Sequence, residues 1–62
     1  MPYLTMKLME GRSIETKEKL VYNMTKAITE SLEIEPSDVR IELIELKKGF
    51  FAKEGKLVRD ND

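Results

Sequence analysis

The apolar residues of this chain change period twice, from two to 3.6 and back to two, and few folds admit that succession. Residues 3 to 9 alternate, with Leu4, Met6 and Leu8 on one face and Tyr3, Thr5, Lys7 and Met9 on the other, the pattern of a half-buried strand. Glu10-Gly11-Arg12-Ser13 breaks the alternation, and Ser13 is placed to cap a helix whose first turns carry Glu15 and Glu18. Leu20, Val21, Met24, Ala27, Ile28 and Leu32 then form one apolar stripe, with Met24 as core filling, while Lys17, Lys19, Lys26 and Glu30 face water. Glu15 and Lys19 add an i,i+4 pair. The helix is expected to stop near Glu33, because Pro36 disfavours helical geometry in Glu35, and Ser37-Asp38 suit a turn. A second strand follows, with Val39, Ile41 and Leu43 on one face and Arg40, Glu42, Ile44 and Leu46 on the other. Strand, helix and strand make a βαβ unit with parallel strands and a right-handed crossover.

Such a unit is too thin to stand alone. A chain of 62 residues buries only about 60% of its unfolded surface, and two strands under one helix leave a sheet face and two edges uncovered. The sequence contains no Cys and no His, which removes disulfides and the ordinary zinc and iron sites as staples. Burial against further copies of the same chain is the remaining source of stability, so an oligomer is expected. Eleven Lys and Arg nearly balance twelve Asp and Glu, which gives nucleic-acid binding little support, and Lys47-Lys48 reads as a solvated turn. No apolar run approaches the roughly 20 residues that span a bilayer and no signal-peptide pattern is present, so a single domain over 1–62, located in the cytoplasm, is expected.

After Gly49, the stretch from Phe50 to Val58 has two short apolar ends around Glu54-Gly55 and reads as a small hairpin that laps onto a neighbour. Phe50 and Phe51 point in opposite directions if extended. The tail Arg59-Asp60-Asn61-Asp62 is polar and expected to fray. With His and Cys absent, the group best suited to proton transfer near neutral pH is Pro2: loss of Met1 would expose a secondary amine, and terminal α-amino groups titrate at roughly 7.7 to 8.0.

Taken together, Pro2 after Met1, Glu10-Gly11-Arg12-Ser13 with Glu15, Lys17 and Leu20 behind it, Val39-Arg40, and Gly49-Phe50-Phe51 with Gly55 resemble the 4-oxalocrotonate tautomerase family over essentially the whole chain. The resemblance implies an α/β (α+β) subunit of the tautomerase superfamily, a βαβ unit with a C-terminal β-hairpin. It further implies assembly as a homo-oligomer, a hexamer built as a trimer of dimers, with no metal or organic cofactor. It places the catalytic proline at Pro2, the two active-site arginines at Arg12 and Arg40, and the pocket phenylalanine at Phe51, the last chosen over Phe50 by alignment on the Gly49 turn. In the family these groups come from different subunits.

On that pattern Pro2 would take a proton from the 2-hydroxyl of a dienol acid such as 2-hydroxymuconate and deliver it to a distal carbon. Burial against Phe51 and nearby guanidinium groups would keep its amine neutral. Arg12 suits the far carboxylate, Arg40 the 2-oxygen and adjacent carboxylate, and Phe51 the exclusion of water. The resemblance leaves other outcomes open: a superfamily decarboxylase of 3-oxo acids or hydratase of halogenated acrylates, with Glu10, Glu42 or Glu45 activating water, or a non-catalytic oligomeric binding protein. Taken singly, Arg12 also reads as a solvated residue before a helix, and Arg40 as an exposed strand arginine paired with Glu10 or Glu42. The hairpin carries Ala52, Lys53 and Glu54 where better-known members are richer in glycine, which adds bulk and charge at the pocket rim.

Overall fold

A computed structural model describes residues 1–59; the polar tail beyond Arg59 lies outside the described residues. Strand β1 (Tyr3–Met9) leads into helix α1 (Ile14–Leu32), a 3-10 turn (Pro36–Asp38) and strand β2 (Arg40–Leu46), followed by the short strands β3 (Ala52–Lys53) and β4 (Lys56–Leu57). β1 and β2 pair in parallel from Tyr3↔Arg40 to Met9↔Leu46, as the βαβ pattern requires. Helix α1 starts where the sequence places it: the Ser13 hydroxyl accepts the Thr16 N–H at 3.2 Å, satisfying one of the orphan amides of the first turn. It ends at Glu33, which adopts a left-handed φ of 56°, and the Ile34 N–H donates to Thr29 O at 3.2 Å before Pro36 turns the chain.

The helix covers the sheet face that carries Leu4, Met6, Leu8, Ile41 and Leu43, all half-buried against the half-buried Leu20, Val21, Met24 and Ile28. Two members of the expected stripe, Ala27 and Leu32, are exposed instead. For Leu32 the length of the helix accounts for this: 19 residues rise roughly 28 Å, more than the roughly 23 Å of a seven-residue strand, so the last turn runs past the strand length. Lys17 does not face water as its position in the pattern suggests. Its Nζ reaches Glu45 Oε2 at 3.2 Å, where the β2 alternation turns an acidic residue toward the helix.

Among the described residues only Met9 is buried, at 5% exposure. The accessible surface of 5077 Å² exceeds the roughly 4,100 Å² expected of a compact monomer of this mass. The radius of gyration of 14.2 Å likewise exceeds the roughly 10.5 Å of a compact chain of this length. Large apolar side chains stand exposed on the helix (Tyr22, Leu32), on the hairpin (Phe50, Leu57) and on the sheet face away from the helix, where Tyr3 and Ile44 lie among Thr5, Lys7, Arg40 and Glu42 and Thr5 Oγ1 donates to Glu42 Oε1 at 3.3 Å.

The hairpin is held to the end of β1 by Glu10, whose N–H donates to Leu46 O at 2.9 Å and whose Oε2 accepts the Lys48 N–H at 3.0 Å. Gly49 at φ 84° allows the turn in which the Phe50 N–H donates to Lys47 O, a conformation a side chain would strain. β3 and β4 pair antiparallel, Ala52↔Leu57 and Lys53↔Lys56, around Glu54 and Gly55, both at positive φ as a two-residue hairpin of the I′ kind demands. Among the described residues, no helix is long and apolar enough to cross a membrane.

Candidate active site

The four residues singled out in the sequence fall into two groups at opposite ends of the β1–β2 pair. Pro2 begins the path into β1, half-buried, and its carbonyl accepts the Arg40 N–H at 3.1 Å, so the parallel register sets Pro2 beside the first residue of β2. Met1 precedes it in the encoded chain, where the Pro2 nitrogen is an amide without a basic lone pair. The Arg40 guanidinium curls back onto the 3-10 turn, with Nη1 donating to Ser37 O and Val39 O. It is paired with neither Glu10 nor Glu42: Glu10 accepts from the Lys48 amide and Glu42 from Thr5.

At the other end, Arg12 sits in the loop between β1 and α1, half-buried, its Nη1 donating to Met9 O at 3.1 Å. Lys7, Leu8, Met9, Arg12, Leu46 and Phe51 line a cavity of about 280 Å³ there. Phe51, 39% exposed, is one of its walls, whereas Phe50 is 83% exposed and points away, as the alternation of an extended segment dictates. The cavity also explains Met9, which strand alternation assigns to the open face: the chain returning through Leu46 and Phe51 closes over that end of the sheet. Lys7 lines the same cavity; the alternating pattern marks it as polar but gives no sign that the hairpin returns beside it.

This end of the molecule offers a cation set in a largely apolar pocket, suited to gripping a carboxylate. The opposite end offers the proline and a second guanidinium. β1 separates them by roughly 20 Å at about 3.3 Å per residue. The structure therefore brings Pro2 to Arg40 and Arg12 to Phe51, and leaves the two pairs apart within one chain. Among the described residues, no three acidic side chains are grouped to hold a metal ion.

With this geometry in view, comparison with known proteins is specific. A model of the tautomerase enzyme family matches residues 1–51. A probable tautomerase of Halalkalibacterium halodurans is 37% identical over 60 residues, covering 97% of this chain and 98% of that protein. A 2-hydroxymuconate tautomerase of Pseudomonas putida is 39% identical over 57 residues, 92% of this chain and 90% of that one. Among solved structures, a chain from the 4-oxalocrotonate tautomerase isozymes of Methylibium petroleiphilum superposes with a TM-score of 0.86 at 36% identity, over 90% of this chain and 88% of that chain. The chain belongs to the 4-oxalocrotonate tautomerase family. It is a tautomerase, an isomerase, with the βαβ-plus-hairpin subunit of its relatives.

Proposed function

We propose that the protein is a cofactor-independent keto–enol tautomerase that converts 2-hydroxydienoate or enol-pyruvyl acids, such as 2-hydroxymuconate, to the conjugated 2-oxo acid, with Pro2 carrying the proton. The observation that supports this reading is the division of the candidate residues: a largely apolar cavity lined by Arg12 and Phe51 at one end of the sheet and the proline at the other. An enol acid of six carbons is only about 8 Å long at roughly 1.5 Å per bond. It cannot bridge one chain, but it can lie between the Pro2 end of one subunit and the Arg12 end of a second. The open sheet face, with Tyr3 and Ile44 exposed, supplies the surface for that assembly, a homo-oligomer of hexameric form.

Removal of Met1 gives Pro2 a free secondary amine. As base it accepts the 2-hydroxyl proton; the electron pair moves through the diene, and the protonated amine returns a proton to the distal carbon. Arg12 grips the far carboxylate and draws electron density toward the carbon being protonated. Arg40 lies at the same sheet end as a Pro2 and stabilises the negative charge that develops on the 2-oxygen. Phe51 walls the Arg12 cavity and limits water, which strengthens both ionic contacts. The reading fits a cytoplasmic enzyme of one domain that serves aromatic hydrocarbon catabolism.

Ultraviolet assay of 2-hydroxymuconate ketonisation tests this. Arg40→Ala, with oligomeric state preserved on a sizing column, is expected to lose about 10²-fold or more in kcat, the size of effect found when a donor to a developing oxyanion is removed. Full turnover by this variant would show that the charge on the 2-oxygen is met elsewhere.

A further inference from the structure

The hairpin places two lysines directly opposite each other, Lys53↔Lys56, in a ladder only two pairs long. Like charges in that position disfavour the pairing, and among the described residues no carboxylate is paired with either one. Their direction follows from the strand. The Val58 N–H donates to Phe51 O at 2.7 Å, while Val58 O accepts from the Gly49 N–H, so Phe51 stands immediately before the two-pair ladder with its carbonyl turned to the partner strand, and side chains two apart along an extended run share a face. Phe51, Val58, Lys53 and Lys56 therefore lie on one side of the hairpin, and Ala52 and Leu57 on the other. Phe51 is the residue of that side that walls the Arg12 cavity, whose lining among the described residues also includes Lys7 and Arg12.

We propose that Lys53 and Lys56 form a cationic rim on the Phe51 side of the hairpin that selects doubly charged enol acids over singly charged ones, by drawing in and holding the carboxylate farthest from the reacting enol. An anion between the two ammonium groups removes the repulsion that the bare hairpin carries, so binding and hairpin order favour each other. The proposal rests on the tautomerase site described above, but it concerns discrimination rather than the proton transfer itself. Arg12 orients the carboxylate inside the cavity; the lysines act at its mouth, on stems long enough to follow a charge held in part by water.

The test is the ratio of kcat/KM for 2-hydroxymuconate, a dianion, to that for phenylenolpyruvate, a monoanion. In the Lys53→Met, Lys56→Met double variant the ratio should fall about five- to tenfold, the effect of losing two exposed ion pairs, chiefly through KM of the dianion. The Lys53→Arg, Lys56→Arg variant should restore it, which a purely structural role for the lysines would not require. Added salt should lower the ratio more steeply in the natural protein than in the methionine variant, in which Arg12 and Lys7 still meet the second carboxylate. A ratio unchanged within twofold, or equal losses on both substrates, would overturn the proposal. Should the natural protein turn over neither substrate, the tautomerase site reading fails separately. Calorimetric binding of unreactive muconate then decides the lysine question, weaker binding by the methionine variant supporting it and equal binding refuting it.

Discussion

Mixing two inactive variants tests whether one active site draws on two chains. Pro2→Ala removes the proline amine and Arg12→Ala the guanidinium in the cavity at the far end of the sheet, and each alone is expected to lose about 10²-fold or more in turnover. Within one chain the two positions are separated by the length of β1, roughly 20 Å, more than twice the span of the substrate. Under the assembly proposed above, a two-fold interface would give each site a Pro2 from one chain and an Arg12 from its partner. In a mixed pair, one site then receives both substitutions and the other receives neither. Random assembly from equal amounts makes about half the pairs mixed, so about one quarter of all sites regain both native residues. The two variants are mixed in denaturant, refolded together, and assayed by 2-hydroxymuconate ketonisation against each refolded alone. Recovery near one quarter of the natural rate is expected. Co-refolded protein no more active than the separate variants, at equal oligomer yield, would show that Pro2 and Arg12 of the same chain serve the same site.

Two stability effects follow from local geometry, each measured by denaturant unfolding at fixed protomer concentration because assembly contributes to the midpoint. Ser13→Ala removes the acceptor of the Thr16 N–H and should cost about 1 kcal/mol. Gly49→Ala should cost about 1 kcal/mol through its φ of 84° alone, since an added Cβ would meet nothing within 4 Å, and it should raise KM by loosening Phe51 two residues on.

The βαβ order was legible because each element carries its own period and each boundary a residue with a specific backbone role: Ser13 as cap, Pro36 as the barrier to further helix, Glu54-Gly55 as hairpin turn. What the pattern could not show depends on contacts distant in sequence. Met9 alternates onto the open face and is buried only because the chain returns through Leu46 and Phe51. Lys17 has the spacing of a solvated residue and is turned to Glu45 by a strand 28 positions later. Leu32 belongs to the stripe by period but lies beyond the sheet it would cover. The candidate site was legible in a different way. Nothing in the local pattern ties Pro2 to Arg12; the resemblance joins them, and the structure shows the two ends of the sheet on which that joining depends.

The role of Pro2 is tested most directly by reading the intact mass of a preparation beside its rate of 2-hydroxymuconate ketonisation, for the natural protein and for a variant with one bulky residue inserted between Met1 and Pro2 to block processing. The natural protein should lack Met1 and turn over, whereas the variant should keep its extension, assemble, and lose about 10²-fold or more in rate. Equal turnover by the two, with the proline nitrogen an amide in one of them, would contradict the assignment of Pro2 as the proton carrier.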